Sequence, residues 1–325
     1  MKAMILTAGL GTRLRPLTLR RAKPAIPVCG KPLVLRTIEN LHSQGVCEFR
    51  LNLSWLPETI KSIFESACGS GFNVSFSYEP EILGTAGGLK SNQAFFNSGT
   101  FLMVNGDTLF DFNIAEALNF HKQNGAIATL VLYPQKPPFE FTPVRIDDAF
   151  NIISFSGNSI VSTPIPQEFL FTGIHIMEPE IFEFIDSGVF YEIISQSYRN
   201  ALERGHRIIG CPLNGYWNDL GSPARYILAV KDLLSGCIGG RASRAWVSDK
   251  ATIHHCASLE GVTVERGATI ESNCQLRDSI IWEDSIIRKN SVIRNCIIGD
   301  RVIVDGEHVD EVITVYGSRP LKLEQ

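Results

Sequence analysis

From residue 247 to residue 304, aliphatic side chains recur at 247, 253, 259, 264, 270, 276, 281, 287, 293, 298 and 304, in steps of 6, 6, 5, 6, 6, 5, 6, 6, 5 and 6. Three consecutive steps make 17 residues, so Val247, Val264, Ile281 and Ile298 fall in one column and Ile253, Ile270, Ile287 and Val304 in another. Four places after most of these stands a small residue: Ala251, Ala257, Ala268, Cys274, Ser285, Ser291. An inward aliphatic followed by a small residue at a corner is what a three-sided solenoid of short parallel strands requires. Asp310 falls at the next place of the third column, which predicts that the stack ends there, after roughly three and a half coils. Trp246, Ile280, Trp282 and Ile297 lie at outward positions and would suit an interface between subunits.

Ahead of the glycine-rich stretch Ser235–Arg244 the texture differs. Strand-like segments are expected at Ala3–Thr7, Phe49–Leu53, Val74–Tyr78, Phe101–Val104 and Ala126–Tyr133, and helical ones at Leu33–Ser43, Glu58–Ala67, Gly88–Phe96 and Ile114–Lys122. That rhythm predicts an α/β fold with a Rossmann-like, mostly parallel sheet covered by helices on both faces. The expected organisation is a domain over 1–235, a linker over 236–245, and a parallel β-helix over 246–315 with a short tail. Ligands of such sheets bind beyond the carboxyl ends of the strands, and the loops after Thr7 and Val104 lie there.

Bulk properties narrow the function classes. With 44% hydrophobic and 20% charged residues and a net charge of −4, nothing pulls the whole chain toward nucleic acid or an anionic membrane. Eight cysteines without CxxC or zinc-like spacing read as reduced thiols. The apolar start breaks at Gly9 and runs into Arg13 without a cleavage pattern, and no apolar run is long enough to span a bilayer, so a cytoplasmic protein is expected. The first 38 residues, however, carry eight basic side chains and no acidic one, and these interleave with glycine and proline. That is a local anion-binding signature.

The chemistry-bearing stretches sit in that context. Gly9-Leu10-Gly11-Thr12-Arg13 follows a strand, and glycines let backbone N–H groups approach phosphate oxygens. Leu14 and Pro16 break the dinucleotide-binding pattern, and a GxxxxGK[ST] loop is lacking, which sets aside hydride transfer and P-loop chemistry. Arg13 can fork two hydrogen bonds to a phosphate, and Lys23 stands in stiff backbone ahead of Pro24. Asp107 ends the strand-like run beginning at Phe101, and Asp219 lies in an expected loop between Trp217 and Gly221. Two aspartates with triphosphate oxygens are what Mg²⁺ usually takes.

Taken together, LTAGLGTRLRPLT (6–18), KPAIPV (23–28), EILGTAGGL (81–89), VNGD (104–107), FTGI (171–174) and WNDLGSP (217–223) make the chain resemble the nucleotide-sugar pyrophosphorylases, the sugar-1-phosphate nucleotidyltransferases, over nearly its whole length. The resemblance implies a left-handed form for the β-helix and a role for each matching residue. Leu6, Ala8, Gly9, Gly11, Thr12, Arg13, Gly84, Thr85 and Gly87 would line the nucleotide. Gly88, Asn105, Thr172 and Gly173 would border the sugar, Asp107 and Asp219 would hold Mg²⁺, and Arg13, Lys23 and Asp107 would act in catalysis. Thr7 and Leu10 depart from the family's usual Ala and Gly, and the Glu-Lys-Pro-type segment that grips the sugar phosphate in many relatives is replaced by IISFSGNSIVSTPIPQEF.

The implied reaction joins a nucleoside triphosphate and a sugar 1-phosphate in a homo-oligomeric enzyme. GTP with mannose 1-phosphate comes first, followed by UTP with an amino-sugar phosphate or dTTP with glucose 1-phosphate. Acyl transfer by the β-helix would need a histidine base at a coil edge. His254 and His255, being adjacent, are expected to point apart, and His308 lies at the frayed end. A non-catalytic regulatory homologue would have lost Arg13, Lys23, Asp107 and Asp219, which all stand in their motifs.

Overall fold

A computed structural model describes residues 1–65, 71–134, 143–155, 158–159, 167–240 and 242–321. The chain forms two compact units, one of Met1–Gly9 with Thr37–Trp217 and one of Leu10–Arg36 with Asn218–Gln325.

The first unit is built on a ten-stranded sheet. Lys2–Leu6 runs parallel between Glu48–Leu53 and Phe101–Asn105, and Asn73–Tyr78 extends the parallel set beyond Glu48–Leu53. Parallel neighbours need crossover connections. Pro57–Glu65 is one such helix, and the expected end of that helix at 66–67 lies outside the described residues. The helix Leu33–Ser43 forms as its apolar spacing predicts, with Leu33, Val34, Ile38 and Leu41 fully buried. Ile114–Asn124 starts where the Asn113 side chain accepts the Glu116 N–H at 3.2 Å and stops at left-handed Gly125.

The sheet is mostly parallel, as expected, and one expectation about the helices is corrected. The single helix expected over Gly88–Phe96 is two, Gly84–Lys90 and Gln93–Phe96. It breaks where the Asn92 amide donates back to Gly88 O at 2.9 Å. The sheet also carries an antiparallel portion that alternation did not reveal. The long strand Gln167–Met177 runs antiparallel to Phe101–Asn105 and Ala128–Pro134, with a register shift between Phe171 and His175. Ile208–Pro212 then adds parallel to Ala128–Pro134. Met4, Met103, Leu130, Phe101 and Phe182 lie in the core packed against this sheet.

In the second unit the repeat builds a parallel β-helix. Val247, Val264, Ile281 and Ile298 pair in register, as do Ile253, Ile270, Ile287 and Val304, and likewise Leu259, Leu276 and Ile293. Buried Val264, Ile270, Leu276, Ile281, Ile287, Ile293 and Ile298 form its core. The corners carry a second periodic signal. Gly261, Asp278 and Asn295 all have positive φ, as do Gly267, Asp284 and Arg301, and Asn273 with Asn290. Glycine, Asn and Asp tolerate that region best, so the turn residues repeat with the same period as the aliphatics.

The end of the stack differs from the expectation. His308, not Asp310, takes the place beside Ile293, because the final corner is shortened at Gly306, which has φ 91°. The stack also continues past Asp310. Glu311–Thr314 pairs parallel with Ile297–Ile298, and Gly317–Pro320 folds back antiparallel to close that sheet edge. Ile280, Trp282 and Ile297, expected as an exposed interface, are buried. Trp282 stacks edge-on against Tyr226 of the helix Pro223–Ser235 and donates its indole N–H to the Tyr226 hydroxyl at 3.0 Å. His254 and His255 do not point apart. Their rings stack with centroids 4.3 Å apart.

Ile287 is fully buried in the middle of its column. Ile287→Ala should therefore destabilise the second unit by about 2–5 kcal/mol, read as a shift in its denaturant-unfolding midpoint.

Candidate functional site

The basic, acid-free segment Leu10–Arg36 has little regular structure. Ahead of the helix that begins at Leu33 it consists of single 3₁₀ turns at Thr12–Leu14, Leu17–Leu19 and Lys23–Ala25 and a hairpin of two-residue strands, Pro27–Val28 and Lys31–Pro32. Gly11 starts the first turn in a left-handed conformation with φ 61°. A side chain there would press within 3.2 Å of Lys23 Cβ and 3.0 Å of Thr18 Cγ2. The Thr18 hydroxyl closes the loop by donating to Gly11 O at 2.8 Å. Gly9 has open space around it, and Thr12 and Arg13 are exposed.

Lys23, Arg13 and Asp219 meet in this unit. The Lys23 ammonium lies 3.4 Å from Asp219 Oδ1, both side chains about nine-tenths buried, and the Arg13 guanidinium lies 3.8 Å from Oδ2. The Lys23 pair is shielded from water and is the stronger contact. The Arg13 contact is long and its side chain is 62% exposed, so it contributes little by itself and leaves the guanidinium at the surface. Asp219 was expected in a loop and instead ends the short strand Trp217–Asp219. Gly221 makes the approach possible, since a Cβ there would come within 2.5 Å of Asp219 Oδ2 and 2.8 Å of Arg13 Nη1.

Fastening of this segment was not legible in the sequence. The Arg21 guanidinium bonds Glu283 and, at 3.0 Å, Asp300, while its carbon sits 5.0 Å from the centroid of the Trp282 ring. The Tyr226 hydroxyl donates to Pro27 O. Gly30, at φ 78°, lies so close to Trp246 that a Cβ would fall 2.0 Å from the ring, and its N–H donates to Glu265 Oε1 at 3.0 Å. Burial pushes the Glu265 carboxyl up to about 7, against the Gly30 hydrogen bond, which favours the ionised form.

In the first unit the predicted residues gather at the carboxyl ends of the parallel strands. Leu6 ends one strand and pairs with Asn105, which ends the next; Asp107 follows two residues on. A buried polar chain that alternation did not reveal lies alongside. Asn52 accepts the Thr7 N–H at 2.8 Å and donates to Glu79 at 2.8 Å, and Glu79 accepts the Leu83 N–H at 3.1 Å. The Thr7 hydroxyl donates to Asn52 O. A Cβ on Gly88 would fall 2.4 Å from the Glu79 carboxylate, so glycine is required where this chain passes. The one sequence hint was polar Asn52 within the apolar run LNL.

Gly84 and Gly87 are held against the backbone of the segment around Tyr191, where Cβ atoms would lie 2.7 Å from Tyr191 O and 2.6 Å from Val189 O. Ala86 and Gly87 N–H groups donate to Tyr191 O at 2.9 and 3.1 Å. The Thr85 hydroxyl donates to Glu192 at 2.7 Å and accepts the Ile193 N–H. Gly173, at φ 80°, packs on Asn105, whose amide nitrogen would be 2.5 Å from a Cβ there. Thr172 is fully buried, its hydroxyl donating to Val131 O at 2.8 Å and its carbonyl accepting the Trp217 indole N–H at 2.8 Å. Ala8 is also buried. The replaced sugar-phosphate segment falls at 152–169, of which 156–157 and 160–166 lie outside the described residues.

The nucleotidyl transferase family profile matches residues 2–236. A UTP--glucose-1-phosphate uridylyltransferase of Synechocystis is 34% identical over 72% of this chain and 64% of its own length. A mannose-1-phosphate guanylyltransferase of Mycobacterium tuberculosis is 28% identical over 81% and 74%. A mannose-1-phosphate guanyltransferase of Yarrowia lipolytica is 33% identical over 73% and 63%. The chain thus spans just under two thirds of the Synechocystis and Yarrowia proteins. In fold, it resembles HddC from Yersinia pseudotuberculosis complexed with GMP-PN, with a TM-score of 0.61 over 71% of this chain and 99% of that one at 22% identity.

Glu265 yields a pH prediction for the anchored loop. An acid whose folded pKa is raised from 4.5 to about 7 folds with proton uptake, so its favourable contribution is complete below 4.5 and lost as pH rises through 7. Glu265→Gln keeps an acceptor for Gly30 and removes the titration. It should flatten the stability profile between pH 5 and 7 and leave the variant more stable than the parent at pH 8, by about 3 kcal/mol. Thermal unfolding at the two pH values checks both outcomes.

Proposed function

Because the chain belongs to the nucleotidyl transferase family, we propose that it joins a sugar 1-phosphate to a nucleoside triphosphate, making a nucleotide-activated sugar and pyrophosphate. The observation that carries this reading is the convergence of Lys23 and Arg13 on Asp219 beside the open glycine turn. A phosphate oxygen of the sugar 1-phosphate attacks the α-phosphorus of the triphosphate. The bond from that phosphorus to the bridging oxygen breaks, and pyrophosphate leaves with the electron pair.

Such a displacement needs positioning and charge neutralisation more than covalent help. Gly9, Gly11 and Thr12 bring backbone N–H groups to the triphosphate, with Leu6, Ala8, Gly84, Thr85 and Gly87 shaping the nucleotide's place. Arg13, exposed and only loosely paired, is free to swing onto the departing phosphates. Lys23, held in buried stiff backbone, is the fixed cation. Gly88, Asn105, Thr172 and Gly173 form the sugar side, through the backbone and through Asn105, since the Thr172 hydroxyl already serves Val131.

Asp107 and Asp219 offer hard oxygen donors of the kind Mg²⁺ takes. When bound there, Mg²⁺ would supply charge neutralisation on phosphate oxygens. In this reading residues 1–235 carry the chemistry, 236–245 connect, and the left-handed β-helix 246–315 braces the loop. Homo-oligomeric assembly in the cytoplasm belongs to the same reading.

GTP with mannose 1-phosphate is the favoured pair, supported by the guanylyltransferase relatives. The uridylyltransferase relative favours UTP with glucose 1-phosphate as the second. A panel of GTP, UTP and dTTP against mannose, glucose and amino-sugar 1-phosphates, scored by pyrophosphate release with Mg²⁺, should show turnover with the GTP–mannose pair first. Release from none of the pairs would overturn the proposal. Asp107→Ala should lower kcat by about 10²–10³-fold; near-parental turnover would remove Asp107 from the scheme.

A further inference from the structure

One corner of the β-helix carries chemistry that neither the solenoid nor the proposed reaction uses. Between the strands Thr252–Ile253 and Ser258–Glu260 the chain turns through His254, His255 and Cys256, closed by the Ala257 N–H donating to His254 O at 2.9 Å. Ile253 and Ala257, on either side, are the residues that pack on the solenoid core. The three between them are exposed and add nothing to that core. The equivalent corners one and two coils on read Glu271-Ser272-Asn273 and Arg288-Lys289-Asn290. Those side chains bind one another, with Arg288 2.8 Å from Glu271. The turn uses one of these side chains, the His254 ring that accepts the Cys256 N–H, and its demands do not explain the second histidine or the cysteine.

Their geometry is convergent. The imidazoles stack with centroids 4.3 Å apart and planes 29° from parallel. One ring nitrogen from each and the Cys256 sulfur lie within 4.8 Å of one another. Ligands on a tetrahedral ion, with bonds of about 2.0–2.3 Å, stand roughly 3.3–3.8 Å apart, so modest side-chain rotations close the set. His254 Nδ1 accepts the Cys256 N–H at 3.2 Å; in an exposed turn, water can take over that N–H when the nitrogen lone pair goes to an ion.

We propose that His254, His255 and Cys256 form a binding site for a thiophilic transition-metal ion of the zinc class. Two imidazoles and a thiolate make a soft donor set that prefers such ions over Mg²⁺ or Ca²⁺. Three protein ligands leave a fourth position to water, the open form of a zinc site. Binding forms two metal–nitrogen bonds and one metal–sulfur bond, and the thiol proton passes to solvent.

The test uses the full chain, stripped of metal and kept in excess Mg²⁺ so that hard-oxygen positions stay occupied. Zn²⁺ is titrated in competition with a chromophoric chelator, and Co²⁺ is used to look for the thiolate-to-metal charge-transfer band. The parent should take up one equivalent, and His254→Ala, His255→Ala and Cys256→Ser should each lose at least fivefold in affinity at an unchanged circular dichroism spectrum. The cobalt band should vanish in Cys256→Ser and persist in Cys47→Ser and Cys237→Ser, whose thiols are also exposed. A smaller loss in any of the three site variants, or a band that survives Cys256→Ser, would overturn the site.

Discussion

The Arg21 guanidinium, bonded to Glu283 and Asp300 and lying over Trp282, holds together a part of the molecule that could not hold itself. Before the helix at Leu33, the segment from Leu10 has three single turns and a hairpin of two-residue strands. So short a set of local hydrogen bonds cannot offset the entropy of ordering roughly two dozen residues. The order comes from outside the segment, at Arg21, at Pro27 against Tyr226, and at Gly30 against Trp246 and Glu265. All of these partners lie in the helix Pro223–Ser235 or in the β-helix. The solenoid is therefore a scaffold for the glycine turn and for the cations Arg13 and Lys23.

That arrangement separates two kinds of cation that look alike in composition. Arg21 is spent on structure, buried between two carboxylates. Arg13 is mostly exposed, with one long contact to Asp219. Lys23 lies between these extremes, buried and close to Asp219 but carried on the same loop as the glycines. The loop carries one fixed charge and one adaptable one, because it is anchored at Arg21 and Gly30 and left open near Gly9.

In the first unit the equivalent constraint is the buried chain Thr7–Asn52–Glu79–Leu83. Polar groups taken out of water must pair, and these four pair across three adjacent strands and into the helix that begins at Gly84. The glycines of the 84–88 segment are required in the first place by this packing: Gly88 against Glu79, and Gly84 and Gly87 against the backbone around Tyr191. A ligand's close approach would be a second use of space the fold already demands.

Periodicity could determine the solenoid unaided. Aliphatic side chains every five or six residues can be buried together only if each coil repeats the last, so the columns of Val264, Ile270 and their successors were legible residue by residue. The helix Leu33–Ser43 was legible for the same reason, as one buried stripe. What periodicity cannot carry is any contact between residues far apart in the chain. It could not distinguish Arg21 from Arg13, pair Asn52 with Glu79, cover Trp282 with Tyr226, or turn His254 and His255 into a stack. Nor could it show the antiparallel strand Gln167–Met177, whose apolar residues do not alternate cleanly because it is bulged near Gly173. Those outcomes depend on which side chains meet in space, from neighbours at one corner to Arg21 and Glu283 at opposite ends of the chain, and only the folded backbone, through its closest approaches at glycine and its buried charge pairs, decides that.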